Sequence, residues 1–336
     1  MLIASPNVGL DRTLEIEELR PGEVLRFSRA TVTAGGKGVN VARVAKALGA
    51  PATLAGFAAG HCGRAVAGLL GDEGVPFVPV AASGEARSMA IILEVSGRVT
   101  VLNEPGPAIS AHEWQAFERA VGAHLAGHRV LVCIGSVPPG SPPDAYARLV
   151  RLAHAAGRQA VVDANGALLA AALDAHPDVV TPNVYEAQAL LTGQGDEPVE
   201  GADHEAIRRQ AIAAAARLVE RGARAAIVTA GATGAALVEA AEARGNGAQL
   251  PARWIVPPRV PARNPVGAGD AFAAGLVAAL ERGARRAEAV VEATATAAAS
   301  VETLLPGQVD PQRTHALLHQ MKANAADEER RLERRT

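Results

Sequence analysis

The chain predicts an α/β fold: a mostly parallel central sheet with helices on both faces, and a second, smaller sheet apart from it. Three observations predict it. Short apolar runs alternate with longer helical patterns through the middle and C-terminal parts, the βαβα rhythm of a parallel sheet. These runs lack strict alternation, as strands buried on both faces do. Two segments, near 11–34 and 84–103, break the rhythm with short extended runs that do not belong to a parallel sheet.

Length and charge bound the rest. With 336 residues the chain can bury a large core. A formal charge of −2 argues against nucleic acid or a membrane surface as partner. No apolar stretch approaches the ~20 residues that span a bilayer, and the start, Met1-Leu2-Ile3-Ala4-Ser5-Pro6, lacks the basic region and apolar core of a signal peptide. A cytoplasmic protein is expected. Cys62 and Cys133 are the only cysteines, so neither a disulfide framework nor a cysteine zinc site is in prospect. Cys133, inside Val130-Leu131-Val132-Cys133-Ile134, reads as a small buried hydrophobe.

Along the chain, extended runs at 13–16 and 30–33 come first, then a glycine cluster, Ala34-Gly35-Gly36-Lys37-Gly38-Val39-Asn40, running into an amphipathic helix with Val41, Val44, Ala45 and Leu48 on one side. Further extended runs follow at 89–95 and 99–102, with Gly97-Arg98 as a hairpin turn. Ser110 with Glu113 three positions on is a capping box, opening a helix that carries Trp114, Phe117, Val121 and Leu125 inward. Buried strands are expected at 130–134, 160–162, 179–180 and 225–228, with helices over about 144–156, 166–175 and 205–221. Residues 195–203 and 244–252 read as exposed loops. The main unit spans 1–320, and 321–336 forms a charged tail, partly helical from about 325.

The four strands end in Gly135-Ser136, Asp163-Ala164-Asn165, Pro182-Asn183 and Thr229-Ala230-Gly231. Open parallel sheets bind ligands outside the carboxyl ends of their strands, so these endings are expected to line one crevice. The small sheet would cover it and keep water out.

The most telling segment is Asn264-Pro265-Val266-Gly267-Ala268-Gly269-Asp270, which opens an apolar helix through Phe272, Leu276, Val277 and Leu280. A turn without side-chain bulk leaves backbone N–H groups outward, where the helix dipole favours an anion such as phosphate. A carboxylate at the mouth of that hole handles a proton. The pattern reads as phosphoryl transfer to a hydroxyl. The first glycine cluster is not a P-loop, because its spacing differs. Neither cluster fits the dinucleotide fingerprint, since Phe272 takes the third glycine's place. The histidines are scattered without metal-ligand spacing.

With these residues in view, the chain resembles the ribokinase-like, phosphofructokinase B family of sugar kinases over nearly its whole length. The two glycine clusters look like that family's two signatures, in order and separation. It is closest to the branch of 1-phosphofructokinase and tagatose-6-phosphate kinase. That branch is matched by Asn7-Val8-Gly9-Leu10-Asp11, by the loops Asn103-Glu104-Pro105-Gly106-Pro107 and Gly135-Ser136-Val137-Pro138-Pro139-Gly140, and by the nucleotide loop Thr229-Ala230-Gly231-Ala232-Thr233-Gly234.

The resemblance implies a three-layer α/β/α ribokinase-like fold with a β-sheet lid. It implies Asp270 as general base, with the Gly267, Ala268 and Gly269 amides around the migrating phosphoryl group. Asp11, Gly36 and Asn40 would hold sugar hydroxyls, with Asn103 and Ser136 beside them. Arg87, and Lys37 as a second cation, would hold the substrate's own phosphate, which suits a guanidinium fork. Asn183, Thr229, Gly231 and Gly234 would bind ATP, and Glu186 would hold Mg²⁺ through water. A monovalent cation such as K⁺ near 264–266 and 300–307, and a homodimer through the lid, also follow from it. The expected reaction is ATP-dependent phosphorylation of fructose 1-phosphate. Tagatose 6-phosphate or fructose 6-phosphate stand as alternatives, with an unphosphorylated sugar, a nucleoside or a non-catalytic regulator further behind. Thr181, where many relatives carry lysine, Val24 and Val8 depart from the family pattern.

Overall fold

A computed structural model describes residues 1–27, 29–193, 203–240 and 251–333, with side chains described as far as 324. The chain runs β1 (Leu2–Ala4), β2 (Gly9–Ile16), β3 (Arg29–Gly35), α1 (Lys37–Ala47), β4 (Thr53–Phe57), α2 (Gly60–Asp72) and β5 (Phe77–Val80). It continues through β6 (Arg87–Glu94), β7 (Val99–Asn103), α3 (Ala111–His124), β8 (Val130–Ile134), α4 (Ala145–Ala155), β9 (Gln159–Asp163) and α5 (Gly166–Leu173). Then come β10 (Val179–Val180), α6 (Val184–Thr192), α7 (His204–Glu220), β11 (Ala225–Thr229), β12 (Ala235–Glu239) and β13 (Ala252–Ile255). Three helices close the chain: α8 (Ala268–Glu281), α9 (Arg286–Ser300) and α10 (Pro311–Glu333).

Nine strands form the main sheet in the order β13-β12-β11-β10-β9-β8-β1-β4-β5. The pairs from β11 to β5 are parallel, while β12 runs antiparallel to both of its neighbours, β11 and β13. Alternation along β1 and β8 feeds two cores. Leu2, Ala4, Leu131 and Cys133 face the layer of Trp114, Tyr146, Leu149 and Leu218, while Ile3, Val130, Val132 and Ile134 face Val41, Val44, Phe272 and Leu276. Each large side chain so buried contributes about 1.5–3 kcal/mol. The result is three layers, helix on sheet on helix. Phe57, Trp114 and Phe117 stack with centroids 5.1–6.3 Å apart, and the Ser110–Glu113 capping box that starts α3 is formed in both directions.

Four strands make the lid, in the order β3-β2-β6-β7. The register aligns Asp11 with Met89, and Met89 with Asn103, so these three share a face. Arg12, Ala90 and Leu102 align on the other.

The expected strands at 130–134 and 179–180 are found with those bounds; the run expected at 89–95 is β6, which starts at Arg87 and ends at Glu94, and the others extend by a residue or more. Several elements were not expected. β1, β4 and β5 complete the parallel sheet, and Ala252, read as the end of a loop, begins β13. Asp203, also read as loop, caps α7 through a bond to the Glu205 amide; the remainder of that loop, 195–202, and 244–250 lie outside the described residues. α10 continues from Pro311 to Glu333 without a break at 320. Its Leu317 packs on Ala295, Ala298 and Ala299, which anchors the start of a helix whose later part is charged. Among the described residues no helix is long and apolar enough to cross a membrane.

Candidate active site

Parallel pairing brings the carboxyl ends of β1, β8, β9, β10 and β11 to one edge of the sheet, and the lid rises from the same edge because β2 follows β1 after four residues. The glycine turn at the start of α8 completes the crevice. Gly267 caps α8 with φ 85°, a left-handed conformation, and a Cβ there would stand 2.9 Å from Pro306. Glycine is required twice over at that position. A Cβ at Gly269 would meet nothing within 4 Å, so this face of the turn is open. The Ala268 amide is engaged by the Pro265 carbonyl at 3.2 Å, whereas the Gly269 and Asp270 amides have no backbone acceptor among the described residues. The amides left open at this turn are those of Gly269 and Asp270, whereas the sequence reading named residues 267–269.

Asp270 lies one turn into a helix buried all round from Asp270 to Leu280, and is itself 7% exposed. The Asn40 Nδ2 donates to its Oδ2 at 2.8 Å. Burial pushes the Asp270 carboxyl up to about 7; the Asn40 bond holds it down, Asp163 pushes further up, and Lys37 offsets that in part. A carboxyl poised near neutrality suits proton transfer.

Asp11, on β2, sits beneath Gly35, where a Cβ would stand 1.9 Å from its Oδ1. That oxygen is buried without a partner among the described residues. Burial raises Asp11 to about 6 against the pull of Arg87 and Arg43. The Arg87 Nε donates to the Asn7 carbonyl at 2.9 Å. Its Nη2 lies 3.4 Å from where Gly36 would carry a Cβ, with Gly36 itself at φ 113°. Neither Arg87 Nη has a hydrogen-bond partner among the described residues. Asp11, Gly36, Asn40, Arg87 and Asp270 thus come together as one cluster, and Asn103 stands across the lid face from Asp11. Ser136 accepts from the Asn7 Nδ2 at 3.0 Å.

Lys37 is placed differently from expectation. Its Nζ donates to Asp163 Oδ1 at 3.1 Å, and the field of Asp163, Asp270 and Glu186 raises its pKa. Its charge is directed among carboxylates. Thr181, in place of the family's lysine, donates its hydroxyl to Asp163 Oδ2 at 3.1 Å.

The last group surrounds α6. The Asn183 Oδ1 accepts from the Tyr185 and Glu186 amides, at 3.0 and 2.9 Å, and the Glu186 Oε2 accepts from the Asn183 amide at 3.0 Å. This capping box spends the Asn183 oxygen on the helix and fixes Glu186 at the crevice. Thr229 bridges to Asn183 at the neighbouring strand end, and Gly231 opens a 3₁₀ turn with nothing within 4 Å of its missing Cβ. Gly234 is glycine for another reason: a Cβ would strike Trp254 and the Ile255 carbonyl at 2.6 Å. Its lack of bulk serves packing on β13.

Two residues belong here to which the sequence reading assigned no role of their own, although it named Asp163 in a strand ending expected to line the crevice. Asp163 ties Lys37 and Thr181 at the end of β9; an acid closing the apolar run Val161-Val162 was the available signal. Tyr146, fully buried, donates from its hydroxyl to the Gly135 carbonyl at 2.9 Å and fixes the turn before Ser136. No group of three metal-ligating side chains gathers among the described residues. Asp163 and Glu186 instead stand apart around Lys37, carboxylates that would suit a cation keeping its water shell rather than a caged ion.

Comparison with known proteins agrees with this architecture. A 1-phosphofructokinase of Xanthomonas campestris pv. campestris is 35% identical over 82% of each chain. Another, from Rhodobacter capsulatus, is 33% identical over 93% of this chain and 94% of its own. The crystal structure of phosphofructokinase-2 from Escherichia coli in complex with potassium superposes with a TM-score of 0.82 at 26% identity, covering 96% of this chain and 99% of its own. The profile of the pfkB family carbohydrate kinases matches residues 7–313, and the chain belongs to that family, with the ribokinase-like fold and a sugar kinase's active-site crevice.

Proposed function

We propose that this kinase transfers the γ-phosphoryl group of ATP to a hydroxyl of a phosphorylated ketohexose, with fructose 1-phosphate as the substrate and fructose 1,6-bisphosphate as the product. The observation that carries this reading is Arg87. A second anion receptor stands beside Asp11 and Gly36, separate from the amide hole at α8, so the crevice has one place for the migrating phosphoryl group and one for a phosphate already on the sugar. The names of the relatives at 33% and 35% identity support the same substrate.

In this mechanism Asp11 and Asn40 orient the sugar. An ionised carboxylate accepts from two neighbouring hydroxyls, and the orphaned Asp11 oxygen receives its donor there. The acceptor oxygen attacks the γ-phosphorus in line, the bond to the β–γ bridging oxygen breaks, and Asp270 takes the hydroxyl proton. The Gly269 and Asp270 amides offset charge on the equatorial oxygens. Mg²⁺, held through water by Glu186 and Asp163, would neutralise phosphate charge. The nucleotide lies along Thr229, Gly231 and Asn183. We assign a monovalent cation to the junction where Asn264 joins the 300–307 loop, its amide to the Val301 carbonyl at 3.1 Å and its Nδ2 to the Leu304 carbonyl at 2.8 Å. The lid's outer face, with a hollow of about 370 Å³ lined by Phe27 and Leu102 among others and with Val32 also exposed on the lid, suits a second copy, and the working form is a cytoplasmic homodimer.

The test is a coupled ADP-release assay over fructose 1-phosphate, tagatose 6-phosphate, fructose 6-phosphate and free fructose. The highest kcat/KM is expected for fructose 1-phosphate. Equal efficiency on free fructose would remove the role given to Arg87.

A further inference from the structure

Asn7 stands in the link between β1 and β2 and is 5% exposed. Its Nδ2 donates to the Pro105 carbonyl at 3.1 Å and to the Ser136 Oγ at 3.0 Å. Because a carbonyl only accepts, this contact fixes which end of the amide is nitrogen. The Asn7 Oδ1 then points the other way, buried and without a partner among the described residues. Gly106 leaves room for it, since a Cβ there would stand 2.4 Å away. The backbone of the same residue is equally engaged. Its carbonyl accepts from Arg87 Nε at 2.9 Å and lies 3.6 Å from the Cβ that residue 36 would carry.

The lid joins the body of the protein through four links: residues 5–8, Gly36, residues 81–86 and the stretch after Asn103. Asn7 belongs to the first, faces Gly36 at the second, accepts from Arg87 just past the third and meets the fourth at Pro105–Gly106, while gripping Ser136 beyond the end of β8. A buried amide oxygen without a donor is unfavourable, so a side chain kept only to fill this space need not be an amide. Its two donated bonds are what distinguish it from an apolar filler of similar volume.

We infer that Asn7 is the hinge pin of the lid, a positioning residue that holds the four links together and sets Arg87, and with it the substrate's phosphate, against Ser136 and Asp11. This rests on the reading of Arg87 given above. Loss of the pin frees the lid side of the crevice and leaves the nucleotide side, on β9 to β11, untouched.

The test is a cycle of Asn7→Ala, Arg87→Ala and the double variant, with Asn7→Leu as a form that keeps the volume. Asn7→Ala should raise the KM for fructose 1-phosphate about tenfold or more, since small misplacements of positioning groups are costly, and leave the KM for ATP within about twofold. In the Arg87→Ala background the same change should add less than about twofold. An unchanged sugar-phosphate KM, an equal rise in the KM for ATP, or full additivity in the cycle would overturn the inference. So would failure of both Asn7 variants to fold, which would assign the residue to stability. If Arg87→Ala alone leaves the sugar-phosphate KM unchanged, the phosphate reading of Arg87 is what falls.

Discussion

The two glycine turns look alike in sequence and answer to different demands. Both cap a buried helix with a glycine at positive φ, Gly36 before α1 and Gly267 before α8. At the first, the glycines next to the cap are imposed by the protein itself. A Cβ at Gly35 would collide with Asp11, and one at Gly38 would lie 2.2 Å from the Ser5 Cβ. At the second, Gly267 is likewise held by Pro306, but Gly269 faces open space. The first turn is bare so that lid and body can close on each other; the second is bare so that something from outside can approach. A run of glycines alone does not reveal which.

Replacing Asp270 with Asn tests the second turn most severely. Turnover should fall by about 10²–10⁴-fold, the usual worth of a general base, and a kcat within tenfold of the parent would sever the turn from catalysis. The same variant has a stability signature. The folded-state pKa of about 7 lies above the ordinary value of 3.8, so the native state is progressively penalised as pH rises from about 4 through 7. Thermal unfolding should show the Asn variant gaining on the parent at pH 8 and not at pH 4.

Gly269→Ala and Gly38→Ala set the two turns directly against each other. The first puts a methyl group where the incoming phosphate must approach the amide; it should lower kcat/KM by about 10²-fold, the scale of a lost oxyanion-type contact, and leave the unfolding midpoint nearly unchanged. The second overpacks a filled space, at a cost of about 1–3 kcal/mol, and should lower the midpoint by several degrees. Reversal of that pattern would refute the contrast.

The smallest effect concerns pH. The profile of kcat/KM reports the free enzyme, so activity should rise through about 7 as Asp270 loses its proton. The Asn40 bond favours the charged carboxylate, and Asn40→Ala should move that limb to higher pH while raising the sugar KM severalfold. A limb that stays in place would detach Asn40 from the base.

What could be read from sequence divides along similar lines. The valine-rich strands β8 to β11 declare themselves because burial on both faces leaves an unbroken apolar run. β1 has three residues and β4 reads Thr-Leu-Ala-Gly-Phe, too short or too small-sided to stand out. α2 carries Gly60, Gly63, Gly68 and Gly71, which depress helix propensity; packing of Val66 and Leu70 on the core overrides it. Asp270 and its glycines are legible because anion hole and base lie in one local turn. Asp163 and Asn7 are not, because their meaning comes from partners 126 and 98 positions away. The reason for Gly234 was hidden for the same cause: Trp254 reaches it only through strand pairing.

On the reading proposed above, the Lys37–Asp163 contact stands between the acceptor's half of the crevice and the donor's. One ammonium therefore answers to both occupants, and whichever arrives first alters the charge that the other meets. Thermodynamic linkage makes such a dependence mutual: the factor by which the triphosphate changes affinity for the sugar must equal the factor by which the sugar changes affinity for the triphosphate. Without its lysine bridge, the two sites would lose that electrostatic conversation.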